Sequence, residues 1–462
     1  MEPEKEEVKV QKTLRYSIVD ASFYSAMVGF GESLFSLFGL SLHINALQTG
    51  LLNSLPQTLG SAMQMFSRKL LSLFSSRMSF VLVGASLQGL VLLFLPFAYL
   101  FEVGAFWYVL FFICMYWISG MIVGPAWTSW IGDVVPGDIR GTYFGKRNAV
   151  SGIVAVVSMI ISAVILSYYA VSPSYAFTIL FLLAFAMRAV SVYFLSRQYE
   201  PASSTSAHSP ISFREFLKEA DMKNYGMFMA LSCFMNFCVF LSAPFFAPYM
   251  HSSLSMSFTL ITFLLAVATL SKCLFMPLWG KMSDQYGSRK VFSLCAYLMP
   301  MVPLLWLVSP SMGWLIFAQI FSGLIWSGYE ISSSNFIFEM VPKSKRITCT
   351  SYINMINSAS ILLGGVIGGL IILWFPQNMW NAYLFVFLLS GVLRYGVVFT
   401  FVRHLKEVRT VTSISYHRLL FTTFASALPT AGITQFVIPR LPKPLVRLFF
   451  LSSEEETKKK EN

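Results

Sequence analysis

The chain contains few charged residues for its length. Only 12% of its 462 residues are Asp, Glu, Lys or Arg, whereas about a quarter of the residues of a soluble protein are charged. Hydrophobic residues make up 56% of the sequence, and a soluble fold of this size would leave large apolar patches exposed. The composition excludes an ordinary soluble protein and indicates a chain surrounded by lipid.

Motifs of several kinds of enzyme and cofactor site are also absent. The sequence has no glycine-rich nucleotide-binding loop, no paired-histidine metal motif and no Gly-x-Ser-x-Gly elbow, and its five histidines are scattered. We therefore expect no enzyme activity, no cofactor and no metal. The six cysteines fall in apolar runs or at their predicted inner ends, which argues against a disulfide framework.

The sequence does contain apolar runs that are long enough to cross a bilayer, for which a helix needs about 20 residues. Such continuous runs indicate helices, because the strands of a membrane barrel alternate polar and apolar residues. The first run is too long for a signal peptide and is expected to remain as a helix. The twelve predicted spans cover residues 17–42, 47–66, 79–100, 105–129, 149–171, 174–195, 225–250, 257–279, 289–309, 312–336, 350–375 and 380–402.

Basic residues predict the orientation of the chain. No Lys or Arg occurs in the loops after the odd-numbered spans, whereas both tails and the loops after the even-numbered spans are basic. Because cytoplasmic loops carry the excess of Lys and Arg, both termini are predicted to be cytoplasmic. The net charge of +12 then favours contact with an anionic inner leaflet, not with nucleic acid. The predicted outward loops lack Asn-x-Ser/Thr acceptors, which favours a prokaryotic plasma (inner) membrane.

The two halves of the chain repeat each other. A shift of 206 residues aligns Asp133 with Glu339 and Arg188 with Arg394. Because each half holds an even number of spans, the copies keep one orientation and are related by a pseudo-twofold axis along the membrane normal. The predicted units are a cytoplasmic tail (1–16), a six-helix bundle (17–195), a cytoplasmic linker (196–224), a second six-helix bundle (225–402) and a cytoplasmic tail with an interfacial helix (403–462).

Three loops at the predicted cytoplasmic side carry a family resemblance. Residues 280–290 read GKMSDQYGSRK, which resembles the G-x-x-x-D-x-x-G-x-R-[KR] loop of the major facilitator superfamily. The loops after spans four and ten resemble that family's acidic, proline and arginine arrangement. The matching residues are Gly280, Asp284, Gly287 and Arg289 in the first loop, Asp133, Pro136 and Arg140 in the second, and Glu339, Pro342 and Arg346 in the third.

The resemblance implies an all-α membrane fold of two six-helix bundles and a cytoplasmic gate built from the charged and glycine residues of these loops. In that gate Asp284, Arg289, Glu339 and Arg346 would form a charge cluster that favours the outward-open state. The loop after the second span departs from the pattern, because Ser72 and Ser75 stand where Asp and Gly would be. A symmetric inner latch is therefore not expected.

Three charged residues lie inside predicted spans at sites where a charge is costly and therefore suggests a function. Glu330 and Lys272 lie at similar depths and are candidates for an ion pair, although Lys272 is equally able to snorkel. Glu32 then remains as an acid without a partner. A carboxyl group in apolar surroundings is suited to binding and releasing protons near neutral pH. The alternative is a protonated side chain bonded to a neighbouring helix.

Further candidates for a substrate cavity are polar or aromatic residues of spans one, seven and ten, which in the family line the central path. They are Phe35, Phe234, Asn236, Phe237, Trp326 and Tyr329. Arg188 and Arg394 are interpreted as structural because they repeat, and Asp20 is expected to be solvated. A cavity with acids and aromatic residues favours a cationic or amphipathic solute.

These features predict a secondary transporter that moves a small solute by alternating access, with protons as a candidate coupling ion through Glu32. The expected partners are the solute, protons and the lipid bilayer, and the chain is expected to act as a monomer. A different class, a non-transporting membrane protein such as an assembly factor or sensor, is suggested by the altered loop after the second span and the long C-terminal tail.

Overall fold

The computed structural model of the chain describes residues 2–101, 103–136, 139–201, 224–340, 346–376 and 381–407. These residues form helices and turns and include no β-strand. Most of the predicted linker and the C-terminal tail from residue 408 lie outside the described residues, as do the side chains of Arg140 and Arg346.

Twelve long helices follow one another through the described residues. They are α1 (Glu2–Phe30, continued by Glu32–Leu34 and Phe35–Ser41), α2 (Ala46–Gln64), α3 (Arg77–Phe94, continued by Leu95–Leu100), α4 (Ala105–Val134), α5 (Arg140–Tyr168), α6 (Pro173–Ser196), α7 (Asn224–Ser242, continued by short turns to Ser253), α8 (Phe258–Tyr286), α9 (Ser288–Leu298 and Met301–Leu305), α10 (Met312–Met340), α11 (Arg346–Trp374) and α12 (Ala382–Phe401, continued by Val402–His404). A short helix, Ser67–Leu71, connects α2 to α3.

Each predicted span corresponds to one of these helices. Counting only the described residues, nine helices are long and apolar enough to cross a membrane. The other three are α2, α9 and α10. Polar residues lower the hydropathy of α2 and α10, and α9 is interrupted next to Pro300. We call the helix ends that adjoin the basic loops the basic face, and the other ends the opposite face.

The first helix extends into the predicted N-terminal tail, since α1 is continuous from Glu2. The predicted N-terminal tail, residues 1–16, is thus helical from Glu2, and its cytoplasmic location stays a prediction. The segment is helical because it packs on its own bundle. Thr13 is buried and its hydroxyl accepts a hydrogen bond from the backbone N–H of Tyr199 (2.8 Å), while the Tyr143 hydroxyl donates to the carbonyl of Leu14 (3.2 Å).

The packing of the helices repeats in the two bundles, as the sequence repeat predicts. In the first bundle α1 packs on α5 and α6, α2 and α3 pack on α4, and α3 packs on α6. In the second bundle α7 packs on α11 and α12, α8 and α9 pack on α10, and α9 packs on α12. The main contacts between bundles are α2 with α11 and α5 with α8. In the repeat α2 corresponds to α8 and α5 corresponds to α11, so these two contacts are equivalent. The interface between the bundles therefore follows the same pseudo-twofold symmetry as the bundles themselves.

Candidate solute-binding site

A polar cavity of about 390 Å³ lies in the first bundle, toward the basic face. Helices α1, α3, α4, α5 and α6 all contribute to its wall. Its polar and aromatic lining residues are Asp20, Tyr24, Ser25, Gln88, Trp127, Arg147, Asn148, Ser151 and Arg188. The volume is within the range of about 300 to 1,000 Å³ that is usual for small-molecule sites.

Arg188 of α6 is the centre of a hydrogen-bonded network in this cavity. Its Nε donates to the carbonyl of Ala85 (3.2 Å), and its Nη1 donates to the hydroxyl of Ser191 (3.1 Å). The Ser191 hydroxyl in turn donates to Asp20 Oδ1 (2.6 Å). The guanidinium carbon of Arg188 lies 4.8 Å from the centre of the Tyr24 ring. Contacts on three helices therefore hold this side chain in one position.

Arg147 of α5 approaches the same cavity from another side. Its guanidinium carbon lies 4.8 Å from the centre of the Trp127 ring on α4, and its Nε donates to the carbonyl of Ser17 (3.3 Å). An arginine that is stacked on an aromatic face and bonded through one nitrogen is fixed in direction but keeps other donors available.

This cavity differs from two predictions made from the sequence. Asp20 was expected to be solvated, but it is only 5% exposed and belongs to the network. Arg188 was interpreted as structural, and it does pair locally with Ala85 and Ser191, but it also lines the cavity. The sequence placed Arg147 and Asn148 in a loop, whereas α5 begins at Arg140 and carries both. Arg147 and Arg188 lie 7 and 8 residues, or about 11 to 12 Å, from the basic ends of their helices, a common depth that could have pointed to the site.

The repeat-related Arg394 has different surroundings. It is 1% exposed, and it donates to the carbonyl of Met299 (3.2 Å) and to the hydroxyl of Ser242 (2.9 Å). Arg394 forms no salt bridge with any acidic residue that the structure describes. Arg394 therefore fits the structural role that the sequence suggested, and the two arginines of the repeat have diverged.

Glu32 lies at a break in α1. The α-helix stops at Phe30 and resumes at Phe35, with a 3-10 turn at Glu32–Leu34 between the two parts. The Tyr116 hydroxyl of α4 donates to Glu32 Oε2 (2.8 Å), and Phe35 contacts the same tyrosine ring edge to face (centroids 5.1 Å apart). A mid-helix 3-10 turn is often found at a functional hinge. The bond gives Glu32 a partner on a neighbouring helix, and its proton-binding role stays a proposal.

The ion pair that the sequence suggested for α8 and α10 is present. Lys272 Nζ lies 2.7 Å from Glu330 Oε1, and the two side chains are 36% and 42% exposed. The next residue, Cys273, touches α5 of the first bundle, because a Cβ atom on Gly152 would lie 2.5 Å from Cys273 Sγ. The pair therefore joins α8 to α10 beside the bundle interface.

The remaining aromatic and amide candidates are separated by the structure. Tyr329 lies in the core of the second bundle, where its ring packs on Phe292 (centroids 4.9 Å apart), and Trp326 contacts Tyr329 and is half-buried. Phe234 is 51% exposed and stacks on Phe401, so it faces away from a central cavity. Asn236 bonds to the carbonyl of Ser232 in its own helix (2.8 Å). The carbonyl of Phe237 packs against Gly364.

At the basic face of the first bundle, Arg77 connects three segments. Its Nη1 lies 2.6 Å from Asp133 Oδ2 at the end of α4, and its Nε lies 3.1 Å from Glu200 Oε1 after α6. Glu200 also accepts hydrogen bonds from the backbone N–H groups of Arg77 and Met78. The sequence comparison overlooked Arg77, although it stands two positions after Ser75, where the loop pattern places its arginine. The first copy therefore has a charged contact, which we call the latch, despite its two serine substitutions, and the asymmetry of the two loops stays a prediction.

The second copy uses its loop differently. The hydroxyl of Ser288 donates to Glu339 Oε1 (2.7 Å), and the backbone N–H of Arg289 donates to Glu407 Oε2 (3.2 Å). Asp284 is exposed and forms no hydrogen bond or ion pair with any residue that the structure describes.

Two glycines shape this loop. Gly287 lies between α8 and α9 and has a φ of +95°, a conformation that glycine adopts readily. Gly280 lies in the last part of α8, where it packs against Ile331 of α10.

The two bundles meet closely toward the opposite face. A Cβ atom on Gly50 of α2 would overlap the carbonyl oxygen of Gly365 on α11, and one on Gly369 would lie 2.8 Å from the Cα of Leu47. The two bundles also meet through aromatic rings at this face. The ring centroids of Phe177 on α6 and Phe258, the first residue of α8, are 5.9 Å apart. At this contact α2 and α11 approach so closely that the absence of a Cβ atom at Gly50 and Gly369 is required.

Polar contacts continue the α2 and α11 interface toward the basic face. Thr58 Oγ1 donates to the carbonyl of Ser358 (2.8 Å), and the hydroxyl of Ser358 donates to that of Ser61 (2.7 Å). These small polar residues are the reason that α2 has a weak apolar signal in the sequence. By contrast, the ion pairs at the basic face of the described chain each stay within one bundle.

The described helices thus form two bundles of six, and the first bundle encloses a cavity with charged and polar residues in its wall. The sequence profile of the Major Facilitator Superfamily matches residues 21–248 and again residues 228–453. The chain belongs to the Major Facilitator Superfamily, and it is a membrane-spanning member of that transporter family.

Curated relatives match parts of the chain. The multi-drug resistance efflux pump PmrA of Streptococcus pneumoniae (serotype 4, strain ATCC BAA-334 / TIGR4) is 28% identical over 107 residues, which are 23% of this chain and 27% of the relative. The PmrA homolog of Lactococcus lactis subsp. lactis (strain IL1403) is 24% identical over 204 residues, which are 40% of this chain and 49% of the relative. The chain thus matches between a quarter and a half of the length of these relatives.

Solved structures match over most of the chain. A mutant of the nucleoside transporter NupG has a TM-score of 0.67 at 16% identity, covering 86% of this chain and 100% of that one. A bacterial homolog of the human lysosomal transporter Spinster, solved in an inward-facing and unoccupied conformation, has a TM-score of 0.53 at 14% identity, covering 91% and 98%. At these identities the likeness establishes the fold alone.

Proposed function

We propose that this protein is a secondary transporter that carries a small solute by alternating access, through rocking of its two bundles. The observation that carries the proposal is the contrast between the two faces. The backbones of Gly50 and Gly365 bring the two bundles into contact toward the opposite face, whereas a cavity with charged and polar residues in its wall lies toward the basic face. A closed end combined with a polar site on one side is what one state of such a cycle requires.

The charges of the basic face support this interpretation. The ion pairs of Arg77 connect α3 only to α4 and to the segment after α6, within one bundle. Asp284, which by family resemblance would take part in a gate, is exposed. We propose that Asp284, Arg289, Glu339 and Arg346, with Gly280, Gly287, Asp133 and Arg140, form that gate only in the state that is open at the opposite face. Neutralising Asp284 should then favour the state described above.

We further propose that protons drive transport through Glu32. This acid lies at the hinge of α1 and also interacts electrostatically with Arg188 of the cavity. Loss or gain of a proton at Glu32 would change the field at Arg188, and it would thereby couple the hinge to the solute site. The pair Lys272 and Glu330 beside the interface is a second candidate for a residue that senses the movement of the bundles.

We propose a plasma-membrane location with both termini in the cytoplasm, so that the basic face is the cytoplasmic face. The support is the distribution of Lys and Arg along the sequence. A single-cysteine variant at Lys146, which is exposed at the basic end of α5, tests this orientation. A membrane-impermeant maleimide should label it in inverted vesicles and should fail to label it in intact cells.

The test of transport begins with purified protein in detergent. Small solutes that raise its melting temperature are bound by the folded chain, and each of these solutes is then measured for uptake into reconstituted vesicles. Saturable uptake that stops in a variant with a blocked bundle interface, Gly365→Leu, is the expected result. Binding without uptake would favour the non-transporting alternative, an assembly factor or sensor. The paired Arg77 removes one reason for that alternative, since the first loop retains its contacts.

A further inference from the structure

We propose that the cavity of the first bundle binds a small organic anion, whose carboxylate or phosphate group is held by the guanidinium groups of Arg147 and Arg188. The proposal rests on the proposed transport function, because it names the class of solute that the same pathway would carry. Acids and aromatic residues in the sequence favour a cationic solute, but the structure brings two arginines to the cavity that the sequence did not assign to it.

The first step concerns charge. Among the lining residues, Arg147 and Arg188 are cationic and Asp20 alone is anionic, so the cavity wall has one positive charge in excess. The carboxylate of Asp20 is 5% exposed and is already bonded to Ser191, and through it to Arg188. A charge in a membrane-embedded site is costly unless it is compensated. An anionic ligand would supply the missing negative charge.

The second step concerns hydrogen-bond donors. Arg188 uses Nε and Nη1 in its bonds to Ala85 and Ser191, and Arg147 uses only Nε in its bond to Ser17. The remaining terminal amino groups of both residues make no hydrogen bond to any residue that the structure describes. Arginine matches the geometry of carboxylate and phosphate oxygens through two parallel bonds. The free donors of the two residues are therefore suited to one anionic group.

The third step concerns the aromatic rings, which argue against a cationic ligand. A site for an organic cation usually offers it the faces of aromatic rings. In this cavity the guanidinium of Arg188 already lies over Tyr24, and that of Arg147 already lies over Trp127. The rings therefore position the arginines, and the described cavity has these faces occupied by the protein's own cations.

The fourth step concerns the neutral polar groups of the cavity wall. Gln88 is 3% exposed and lines the cavity beside Tyr24, and the buried hydroxyl of Ser151 has no hydrogen-bond partner among the described residues. Buried polar atoms are normally paired, and an unpaired one costs about 1 to 3 kcal/mol. The hydroxyl of Ser151 and the amide of Gln88 would bond to polar groups elsewhere on the solute. The site thus combines two guanidinium groups that can bind an anion with neutral polar groups in the same cavity wall.

Four probes with the same ring distinguish the charge of the ligand. They are 3-phenylpropionate, phenyl phosphate, 3-phenylpropanol and 3-phenylpropylammonium, each titrated against the melting temperature of the full chain in detergent. We expect the two acids to raise the melting temperature and the alcohol and the ammonium ion to have little effect. The two acids separate a carboxylate site from a phosphate site, and the alcohol controls for apolar binding to the detergent micelle.

Three variants connect the effect to the cavity. Arg147→Gln should weaken binding of the acids roughly tenfold or more, as expected for loss of a charged hydrogen bond. Arg197→Gln is the matched control, because Arg197 also lies over an aromatic ring, that of Tyr193, but outside the cavity. Asp20→Asn should tighten binding of the acids, because it removes the competing negative charge. This gain of affinity keeps the test decisive if an arginine variant does not fold.

The outcomes for the site and for the transport function differ. Stronger binding of the ammonium ion than of either acid, or no response to either acid, would overturn the anion site. Binding of the acids that is equal in Arg147→Gln and in Arg197→Gln would also overturn it. Binding of the acids without uptake into vesicles would leave the anion site standing and would contradict transport. Uptake of the ammonium ion into vesicles would support transport and would contradict the anion site.

Discussion

Gly50 of α2 and Gly365 of α11 bring the backbones of the two bundles into direct contact. A Cβ atom on Gly50 would overlap the carbonyl oxygen of Gly365, and one on Gly365 would lie 2.9 Å from the hydroxyl of Ser54. A larger side chain at this contact should push α2 and α11 apart, because neither backbone leaves room for a Cβ atom. The contact therefore offers a way to bias one conformation.

The first prediction concerns closure of the opposite face. Gly365→Leu should cut solute flux at least about tenfold, which corresponds to a shift of about 1.4 kcal/mol in the conformational equilibrium. The measurement is initial uptake into vesicles at equal protein content. Gly396→Leu is the matched control, since a Cβ atom at Gly396 meets nothing within 4 Å. Equal flux in the two variants would show that the glycine contact does not govern transport.

The second prediction concerns proton coupling. Glu32→Gln should abolish accumulation of solute driven by an imposed pH gradient, because an amide cannot bind and release a proton at this position. Exchange of labelled for unlabelled solute should continue, since that reaction needs no net proton movement. Tyr116→Phe, which removes only the hydrogen bond to Glu32, should keep the gradient response. Normal gradient-driven accumulation in Glu32→Gln would exclude this acid as the coupling site.

The third prediction concerns the latch of the first bundle. Arg77 is 7% exposed and bonds to Asp133, Glu200 and Ser129. Arg77→Gln should lower the free energy of unfolding by about 2 kcal/mol, because it removes charged hydrogen bonds of which one partner, Asp133, is partly exposed. Lys146→Gln, an exposed change at the same face, should be within about 0.5 kcal/mol of the parent protein. Denaturant unfolding followed by tryptophan fluorescence measures both, and equal stabilities would argue against the latch.

The fourth prediction concerns Lys272 and Glu330. Both side chains are more than a third exposed, and such pairs contribute about 0 to 1 kcal/mol. A double-mutant cycle of Lys272→Met and Glu330→Gln should therefore give a coupling energy of about 1 kcal/mol or less. If both single variants reduce transport while stability changes little, the pair acts in the movement of the bundles. A coupling energy above about 2 kcal/mol would instead make the pair a structural element.

The sequence predicted the fold well because lipid imposes a simple pattern. Long apolar runs, alternating basic loops and a shift that aligns Arg188 with Arg394 were enough to give two bundles of six helices. Even α2, with polar residues such as Thr58, had an apolar run long enough to be predicted as a span. The remaining differences at helix ends, such as the start of α1 at Glu2, depend on packing between distant segments.

The candidate site was harder to predict, because it depends on which faces of the helices meet. The pairing of Lys272 with Glu330 could be inferred from depth, but depth alone did not connect Asp20 with Ser191 and Arg188. Arg147 was hidden because a helix that starts earlier than its apolar run looks like a loop in sequence. Arg188 was set aside because it repeats, whereas its partners in the structure differ from those of Arg394.

The central claim is that the two bundles rock so that the faces open in turn, and distances between spin labels on α5 and α8 test it most directly. One pair, Tyr168 with Leu260, reports on the opposite face, and the other, Lys146 with Lys281, reports on the basic face. All four residues are exposed. In Gly365→Leu compared with Gly396→Leu, the first distance should lengthen while the second shortens. Distances that stay unchanged, or that both change in the same direction, would contradict alternating access.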